Sequence, residues 1–221
     1  MLISKMMKPV ALILVDIQYD FLEGGSLAVP NATNILPAVH KLIDNANLII
    51  ATQDWHPQNH ISFAVNHPGK QPFDEVMIQH DGRETKQVLW PAHCVQNTHG
   101  AEILTSISKE SINHIVQKGM NPKVDSYSGF ADNDYQEITP LAKILYQNNV
   151  ETVIVVGLAA DYCVKMTCLD AIKFGFKTVL VREGTLGVAP DQFNATMNYL
   201  QSKGVEVTDV DYAIKTVLQK Q

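Results

Sequence analysis

The sequence lacks several features that would assign its class at once. The longest apolar run near the amino terminus, Val10 to Val15, is too short to cross a membrane, and no small-residue cleavage site follows a charged leader. No basic cluster is present, and 17 Lys and Arg against 23 Asp and Glu leave a net charge of −6. This balance argues against a nucleic-acid partner. We therefore expect a cytoplasmic protein without a membrane or nucleic-acid partner, which acts on a small molecule.

Cysteine is also scarce, since the chain holds only Cys94, Cys163 and Cys168. An odd and sparse set suits a reducing compartment better than a disulfide framework, and it leaves at least one thiol free to react. A hydrophobic fraction of 46% and a charged fraction of 18% exclude a disordered, collagen-like or coiled-coil chain. We interpret residues 1–221 as one domain, because a second core has no support at this length.

Short apolar runs alternate with segments of helical spacing along the chain. The predicted strands are Val10–Val15, Asn47–Thr52, Ile112–Lys118, Thr152–Gly157, Lys177–Val181 and Val205–Thr208, and the predicted helices are Thr33–Asn45, Pro140–Asn148, Tyr162–Lys173 and Pro190–Lys203. This alternation predicts a three-layer α/β/α fold around a mostly parallel six-stranded sheet. An irregular insertion at about residues 55–100 shows no strong period, and long loops of this kind are usually functional.

Polar residues follow four of the predicted strands at the points where the strands end. Asp16 closes the first strand, Asp54 the second and Lys118 the third, and Cys163 opens the helix after the fourth. Because the carboxyl ends of parallel strands share one edge, these side chains are expected to converge. The helix start favours the thiolate form of Cys163, which is either a reactive thiol or a buried structural cysteine, and Asp16 with Lys118 forms either a catalytic or a purely structural ion pair.

The irregular insertion carries the residues that a divalent ion prefers. Asp54 and His56 stand two positions apart, His60 follows four residues later, and His93 lies further along the insertion. Imidazole and carboxylate together suit a first-row divalent metal. Neither a Cys-x-x-Cys nor a His-Glu-x-x-His motif is present, so an open site with positions for water or substrate is favoured over a closed structural zinc site.

Six segments, taken in order, carry a family resemblance. The chain resembles the pyrazinamidase/nicotinamidases of the cysteine-hydrolase, isochorismatase-like superfamily. The matching segments are Leu14–Phe21 (LVDIQYDF), Thr52–Phe63 (TQDWHPQNHISF), Trp90–Gln96 (WPAHCVQ), Val116–Gly119 (VQKG), Asp125–Phe130 (DSYSGF) and Gly157–Val164 (GLAADYCV). They cover almost the whole chain, and their order carries more weight than any one of them.

The resemblance implies roles for particular residues. Asp16, Lys118 and Cys163 would form a catalytic triad. Asp54, His56 and His93 would bind one divalent metal ion, with zinc favoured and iron or manganese as alternatives, and His60 is left open as a further ligand. The backbone amides of Ala159 and Cys163 would form an oxyanion hole, shaped by a cis peptide bond between Leu158 and Ala159.

The implied reaction is hydrolysis of nicotinamide to nicotinate and ammonia through a cysteine thioester, with pyrazinamide also accepted, as part of NAD salvage. By the same resemblance, Phe21, Trp90 and Tyr127 would form an aromatic wall around the substrate, although each also suits an ordinary core. The metal would hold the pyridine nitrogen and so direct the amide toward Cys163.

Three other readings remain open at this point. A metal-independent cysteine amidase of the same fold, of the carbamoyl-amide or ureidoacrylate type, would have no reason to keep Asp54, His56 and His93. An isochorismate vinyl-ether hydrolase would lack the cysteine. A non-catalytic binding protein of this fold would normally lose one of the three catalytic residues. Assembly into a homo-oligomer is also left open.

Overall fold

A six-stranded sheet forms the centre of the structure, a computed structural model that describes residues 9–218. Met1–Lys8 and residues 219–221 lie outside this range. The strands are β1 (Val10–Val15), β2 (Leu48–Asp54), β5 (His114–Lys118), β6 (Thr152–Leu158), β7 (Lys177–Leu186) and β8 (Glu206–Thr208). They lie in the order β5-β2-β1-β6-β7-β8, and every neighbouring pair is parallel. The expected α/β architecture is therefore confirmed.

Helices cover both faces of the sheet, as the continuous apolar strands require. The helices are α1 (Leu36–Ile43), α2 (Leu141–Gln147), α3 (Cys163–Lys173), α4 (Phe193–Ser202) and α5 (Val210–Tyr212), which continues as a π-helical segment, Ala213–Leu218. Alternate residues of β1 enter opposite cores. Leu12 and Leu14 pack in the core that holds α1, and Ala11 and Ile13 pack in the core that holds α2, α3 and α4. The chain thus forms three layers.

The strand order decides where a site can form. From β1 the chain proceeds outward to β2 and then to β5, and it later returns to place β6 on the other side of β1. In open parallel sheets, the crevice at such a reversal, beyond the carboxyl ends of the strands, is where ligands bind. The carboxyl ends of β5, β2, β1 and β6 therefore lie side by side at one edge of the sheet.

The insertion at residues 55–100 is more regular than its sequence predicts. It contains an antiparallel hairpin of β3 (Glu75–His80) and β4 (Arg83–Val88), so the expectation of an entirely irregular segment is wrong. Asp81 and Gly82 form the tight turn, both with positive φ, and Asp-Gly is a strong hairpin signal. The hairpin lacks a fully buried face, since β3 alternates between exposed and half-buried residues. The alternation of apolar and polar residues that predicts a strand is therefore weak here.

None of the helices between residues 9 and 218 has the length and apolar character that crossing a bilayer requires.

Candidate active site

The three residues expected to form a triad meet at the carboxyl ends of β1, β5 and β6. Lys118 Nζ lies 2.9 Å from Asp16 Oδ2 and 3.6 Å from Cys163 Sγ. All three side chains are buried. A buried ammonium, carboxylate and thiol in contact form an arrangement that can move a proton and generate a nucleophile.

Lys118 holds this cluster together through three hydrogen bonds. Its ammonium donates to Asp54 Oδ1 at 2.5 Å, to the carbonyl oxygen of Ser126 at 2.9 Å and to Cys163 Sγ. Burial alone would lower the pKa of Lys118, but the charges of Asp16 and Asp54 raise it well above its usual value. Lys118 therefore stays charged and keeps the carboxylates and the thiol in contact with its ammonium group.

Asp16 has the features of a general base. Burial, together with the nearby charge of Asp54, raises its pKa, although Lys118 and a hydrogen bond from Thr52 partly oppose this rise. Thr52 Oγ1 donates to Asp16 Oδ1 at 2.6 Å, whereas Oδ2 forms the 2.9 Å ion pair with Lys118 Nζ and has no second partner among the described residues. Oδ2 is therefore the oxygen that remains able to accept a proton. Asp16 also has a left-handed backbone with a φ of 50°, a conformation found often at functional sites.

Cys163 begins α3, as predicted, but its thiol is not acidified. Burial raises the pKa of Cys163 well above its usual value, and the positive charge of Lys118 only partly offsets this effect. The expectation that the position of Cys163 favours a thiolate is therefore wrong, because loss of solvation on burial outweighs the stabilising charge of Lys118. The thiol needs a base at the moment of attack, and the neighbouring Asp16 can serve as that base.

The turn between β6 and α3 presents two free backbone amides. Across residues 9–218, neither the N–H of Ala159 nor that of Cys163 donates a hydrogen bond, whereas the N–H groups of Tyr162 and Val164 both donate to the Ala159 carbonyl. The described residues contain no cis peptide bond, so the expected cis bond between Leu158 and Ala159 is wrong. Instead, Ala159 turns the chain with a φ of 59°, in the left-handed region of backbone conformation.

A second cluster of buried side chains lies beside Lys118 and has the donors of a metal site. The ligand atoms of Asp54, His56 and His93 all lie within 4.8 Å of one another. Asp54 Oδ2 is 3.6 Å from His56 Nε2 and 3.8 Å from His93 Nε2. Burial would raise the pKa of Asp54, but Lys118 and His56 lower it, so this carboxylate is ionised and able to bind a cation.

Backbone carbonyls orient the two imidazoles toward this carboxylate. His56 Nδ1 lies 2.8 Å from the Gly119 carbonyl oxygen, and His93 Nδ1 lies 2.8 Å from that of Pro91. These contacts suit Nδ1–H donors, which leave the Nε2 lone pairs free for a metal ion. Gly119 is required at its position, because a Cβ there would lie 2.3 Å from His56 Cε1, and its φ is 67°.

His60 is buried beside His56, and their ring centroids are 4.2 Å apart. His60 Nδ1 contacts Ser62 Oγ at 2.7 Å, but Nε2 has no hydrogen-bond partner in the described structure. Burial, followed by the nearby His56, lowers the pKa of His60 to about 4, so its imidazole is neutral at physiological pH. A neutral, buried and unpartnered imidazole nitrogen fits a metal ligand.

A small pocket lies against both clusters. The predicted aromatic residues Phe21, Trp90 and Tyr127 line it together with Leu27, Asp54, His56, His93, Asp125, Ala159, Tyr162, Cys163 and Val188. Trp90 Nε1 donates to the Tyr127 hydroxyl at 3.3 Å, and Trp90 also meets the Tyr162 ring edge-to-face at a centroid distance of 4.8 Å. Such a pocket suits a flat aromatic ring.

Sequence reasoning missed several residues of the site. Thr52 is the polar end of a predicted strand and the first residue of a segment that carries the family resemblance, yet it receives no role from the sequence. Asp125 lies in one of the segments that carry the family resemblance, yet no role was assigned to it. Tyr162 stands beside Cys163, but its place in the pocket depends on its contact with Trp90, which the sequence does not reveal.

The family model described as "Isochorismatase domain" matches residues 10–212. The chain belongs to the isochorismatase family. Among its relatives, this isochorismatase-family chain is 44% identical to the nicotinamidase of Acinetobacter baylyi over 171 residues, which are 77% of this chain and 78% of the relative.

Solved structures of similar proteins agree with this family assignment. A nicotinamidase/pyrazinamidase from Acinetobacter baumanii is 39% identical to the isochorismatase-family chain and has a TM-score of 0.87, and the match covers 94% of this chain and 99% of the other. The pyrazinamidase of Pyrococcus horikoshii, solved in complex with zinc, is 38% identical with a TM-score of 0.73, over 90% of this chain and 98% of the other.

Proposed function

We propose that this protein is an amidohydrolase that converts nicotinamide and water to nicotinate and ammonia, and that it also accepts pyrazinamide. The observation that carries the proposal is that a Cys163 thiol, in contact with Lys118, and the donor set around Asp54 open into the same pocket. The nicotinamidase relatives described above support this substrate. The family resemblance also implies that this hydrolysis of nicotinamide is a step of NAD salvage.

In the first half of the reaction, Asp16 Oδ2 takes the Cys163 thiol proton while the sulfur attacks the amide carbon of the substrate. The oxyanion is stabilised by the Ala159 and Cys163 N–H groups, and loss of one such donor typically costs about 3–4 kcal/mol. Lys118 stabilises the developing thiolate and keeps Asp16 in position. The carbon–nitrogen bond then breaks, and ammonia leaves with the proton that Asp16 had accepted.

In the second half, Asp16 removes a proton from a water molecule, which attacks the thioester carbon. The carbon–sulfur bond breaks, nicotinate forms, and the sulfur regains a proton from Asp16. The raised pKa of Asp16 suits both steps, because it makes the carboxylate a stronger base toward the thiol and toward water. Lys118 keeps its charge throughout, since its pKa is raised.

The donor set fits one divalent ion, with zinc as the proposed metal and iron or manganese as alternatives. Asp54, His56 and His93 would hold it, with His60 as a further ligand through its unpartnered Nε2. When bound, the ion supplies a Lewis-acid position for the pyridine nitrogen of the substrate.

The aromatic residues would fix the orientation of the ring. Phe21, Trp90 and Tyr127 line the same pocket as the donor set and Cys163, so a flat ring held there would have its amide toward the sulfur. Holding the reacting groups in this way removes much of the entropy cost of bringing them together.

The deciding experiment measures ammonia release from nicotinamide and benzamide by the purified protein, before and after removal of its metal with a chelator. Benzamide keeps the amide but has carbon in place of the ring nitrogen. We expect the metal-loaded enzyme to prefer nicotinamide strongly, and the stripped enzyme to treat both amides alike with a raised KM. Full nicotinamide activity in a verified metal-free sample would instead favour a metal-independent cysteine amidase of this fold.

We also propose that the chain acts as a single domain in the cytoplasm and that its partner is the small-molecule substrate, without nucleic acid or a membrane. An excess of acidic residues and cysteines that are all free within the described residues support these assignments. Assembly of the chain into a homo-oligomer is left to a measurement of molecular mass in solution.

A further inference from the structure

A buried carboxylate beside the donor set has no role in the proposed reaction. Asp125 is only 4% exposed and lines the same pocket as Asp54, His56 and His93. It comes from the loop that follows β5, whereas Asp54 and the three histidines belong to β2 and the insertion after it.

The hydrogen bonds of Asp125 leave its negative charge uncompensated. Oδ1 accepts from the Ser126 backbone N–H at 2.8 Å, and Oδ2 accepts from Gln87 Nε2 at 2.9 Å. Both donors are neutral. Among the Lys and Arg side chains that the structure describes, which do not include Arg83, none forms an ion pair with Asp125, and burial of an unpaired carboxylate is costly.

The expected ligand set of Asp54, His56 and His93 has little negative charge to offer a cation. Asp54 is its only carboxylate, and one oxygen of Asp54 is already bound by the Lys118 ammonium at 2.5 Å. Lys118 in turn faces Asp16 as well. A divalent cation among the imidazoles would therefore bring two positive charges to a place where much of the negative charge of Asp54 is already neutralised.

The geometry brings Asp125 within reach of the same ion. The ligand atoms of His56, His60 and Asp125 all lie within 4.8 Å of one another, the same limit that holds for Asp54, His56 and His93. His56 belongs to both groups. His60, which is fully buried, has the unpartnered Nε2 described above, an independent sign that a ligand is missing on this side.

We propose that Asp125 is a further ligand of the divalent ion and the second carboxylate of the site. The ion would bind on the His60 side of His56. The ion would then neutralise Asp125, and Gln87 would hold the carboxylate in position. This inference rests on the proposed function, because it concerns the same metal site.

The test compares metal binding by the purified full-length protein and its variants. Asp125→Asn keeps the size of the side chain but removes its charge. Asp161→Asn is the matched control, since Asp161 is a buried carboxylate whose oxygens accept from the Val188 and Ala189 N–H groups and which does not line the pocket. The dissociation constants for Zn²⁺ and Co²⁺ are measured by competition with a chromophoric chelator, and the visible spectrum of the Co²⁺ form reports the ligand set.

We expect Asp125→Asn to weaken binding of both ions at least tenfold and to change the Co²⁺ spectrum, and we expect Asp161→Asn to do neither. A loss of less than threefold would overturn the assignment. A larger loss with an unchanged Co²⁺ spectrum would also overturn it, because Asp125 would then act through its charge alone. If Asp125→Asn does not fold, Asp125→Glu, which keeps the charge but moves the oxygens, is expected to change the spectrum, and an unchanged spectrum would count against the ligand.

Failure of this inference can be distinguished from failure of the proposed function. Nicotinamide hydrolysis by the unmodified, metal-loaded protein tests the function and does not depend on the variants. Asp54→Asn is expected to abolish tight Zn²⁺ binding in either case. If Asp54→Asn binds Zn²⁺ as tightly as the unmodified protein, the metal site itself is wrong. If Asp54→Asn loses tight Zn²⁺ binding but Asp125→Asn keeps it, the error is confined to the role of Asp125.

Discussion

Replacement of Thr52 by valine tests whether Asp16 is the catalytic base. The hydroxyl of Thr52 donates a 2.6 Å hydrogen bond to Asp16 Oδ1 and accepts one from the Asp16 N–H at 3.2 Å. Valine has nearly the same shape but cannot donate. The substitution therefore removes a hydrogen bond that stabilises the charged form of Asp16 and leaves the surrounding packing in place.

The size of the effect follows from the strength of that bond. A hydrogen bond to a charged group contributes about 1.5–3 kcal/mol. One unit of pKa corresponds to about 1.36 kcal/mol, so the pKa of Asp16, already raised by burial, is expected to rise by a further 1–2 units or so. The reaction needs the ionised form of Asp16. The acid limb of kcat/KM should therefore move to higher pH by about 1–2 units.

The assay is ammonia release from nicotinamide across the pH range, with the metal kept at saturation. Thr52→Ser restores the hydroxyl and should return the limb toward its original position. Thr167→Val is the matched control, because Thr167 is a buried threonine whose hydroxyl accepts from the Gly129 N–H and does not contact Asp16. An acid limb in Thr52→Val that coincides with that of the unmodified enzyme would refute the assignment of Asp16 as the base. The measured limb belongs to the coupled Asp16 and Cys163 pair.

Cys163→Ala should abolish ammonia release in a folded protein, whereas Cys168→Ala, which removes a buried thiol from the middle of α3, should cost only packing stability. Retention of more than a few per cent of activity by Cys163→Ala would exclude a covalent mechanism. Gly119→Ala should weaken Zn²⁺ binding at least tenfold, because its Cβ would lie 2.3 Å from His56 Cε1. Gly175→Ala provides the control, since Gly175 also has a positive φ but no atom within 4 Å of the added Cβ. Equal metal affinity in these two glycine variants would show that the position of the histidine ring does not matter.

Much of the fold could be predicted because its signals are local. The predicted strand Val10–Val15 coincides with β1, and the segment from Thr152 begins β6 as expected. Both strands are buried on both faces, so each is a continuous apolar run that stands out from its neighbours. The β3–β4 hairpin was missed because it has no buried face and its strands carry many polar residues.

The strand pattern predicted only those residues of the candidate site that stand at the carboxyl ends of strands. Asp16, Lys118 and Cys163 were selected because a parallel sheet brings the carboxyl ends of its strands to one edge. Their contacts and the burial of the pocket are properties of the folded chain. The ionisation of Cys163 was therefore misjudged, since the helix start is visible in the sequence and the loss of solvation is not.

The sequence by itself determined the class of fold, the order of the six sheet strands and of the helices α1 to α4, and the residue types that meet at the sheet edge, because periodicity and strand-end chemistry are properties of adjacent residues. Only the tertiary structure decided that Lys118 contacts both Asp16 and Asp54, that Thr52 donates to Asp16, and that Asp125 faces the histidines. These contacts join residues far apart in the chain. Their distances and burial depend on how loops from different strands pack against one another, and no local pattern encodes this packing.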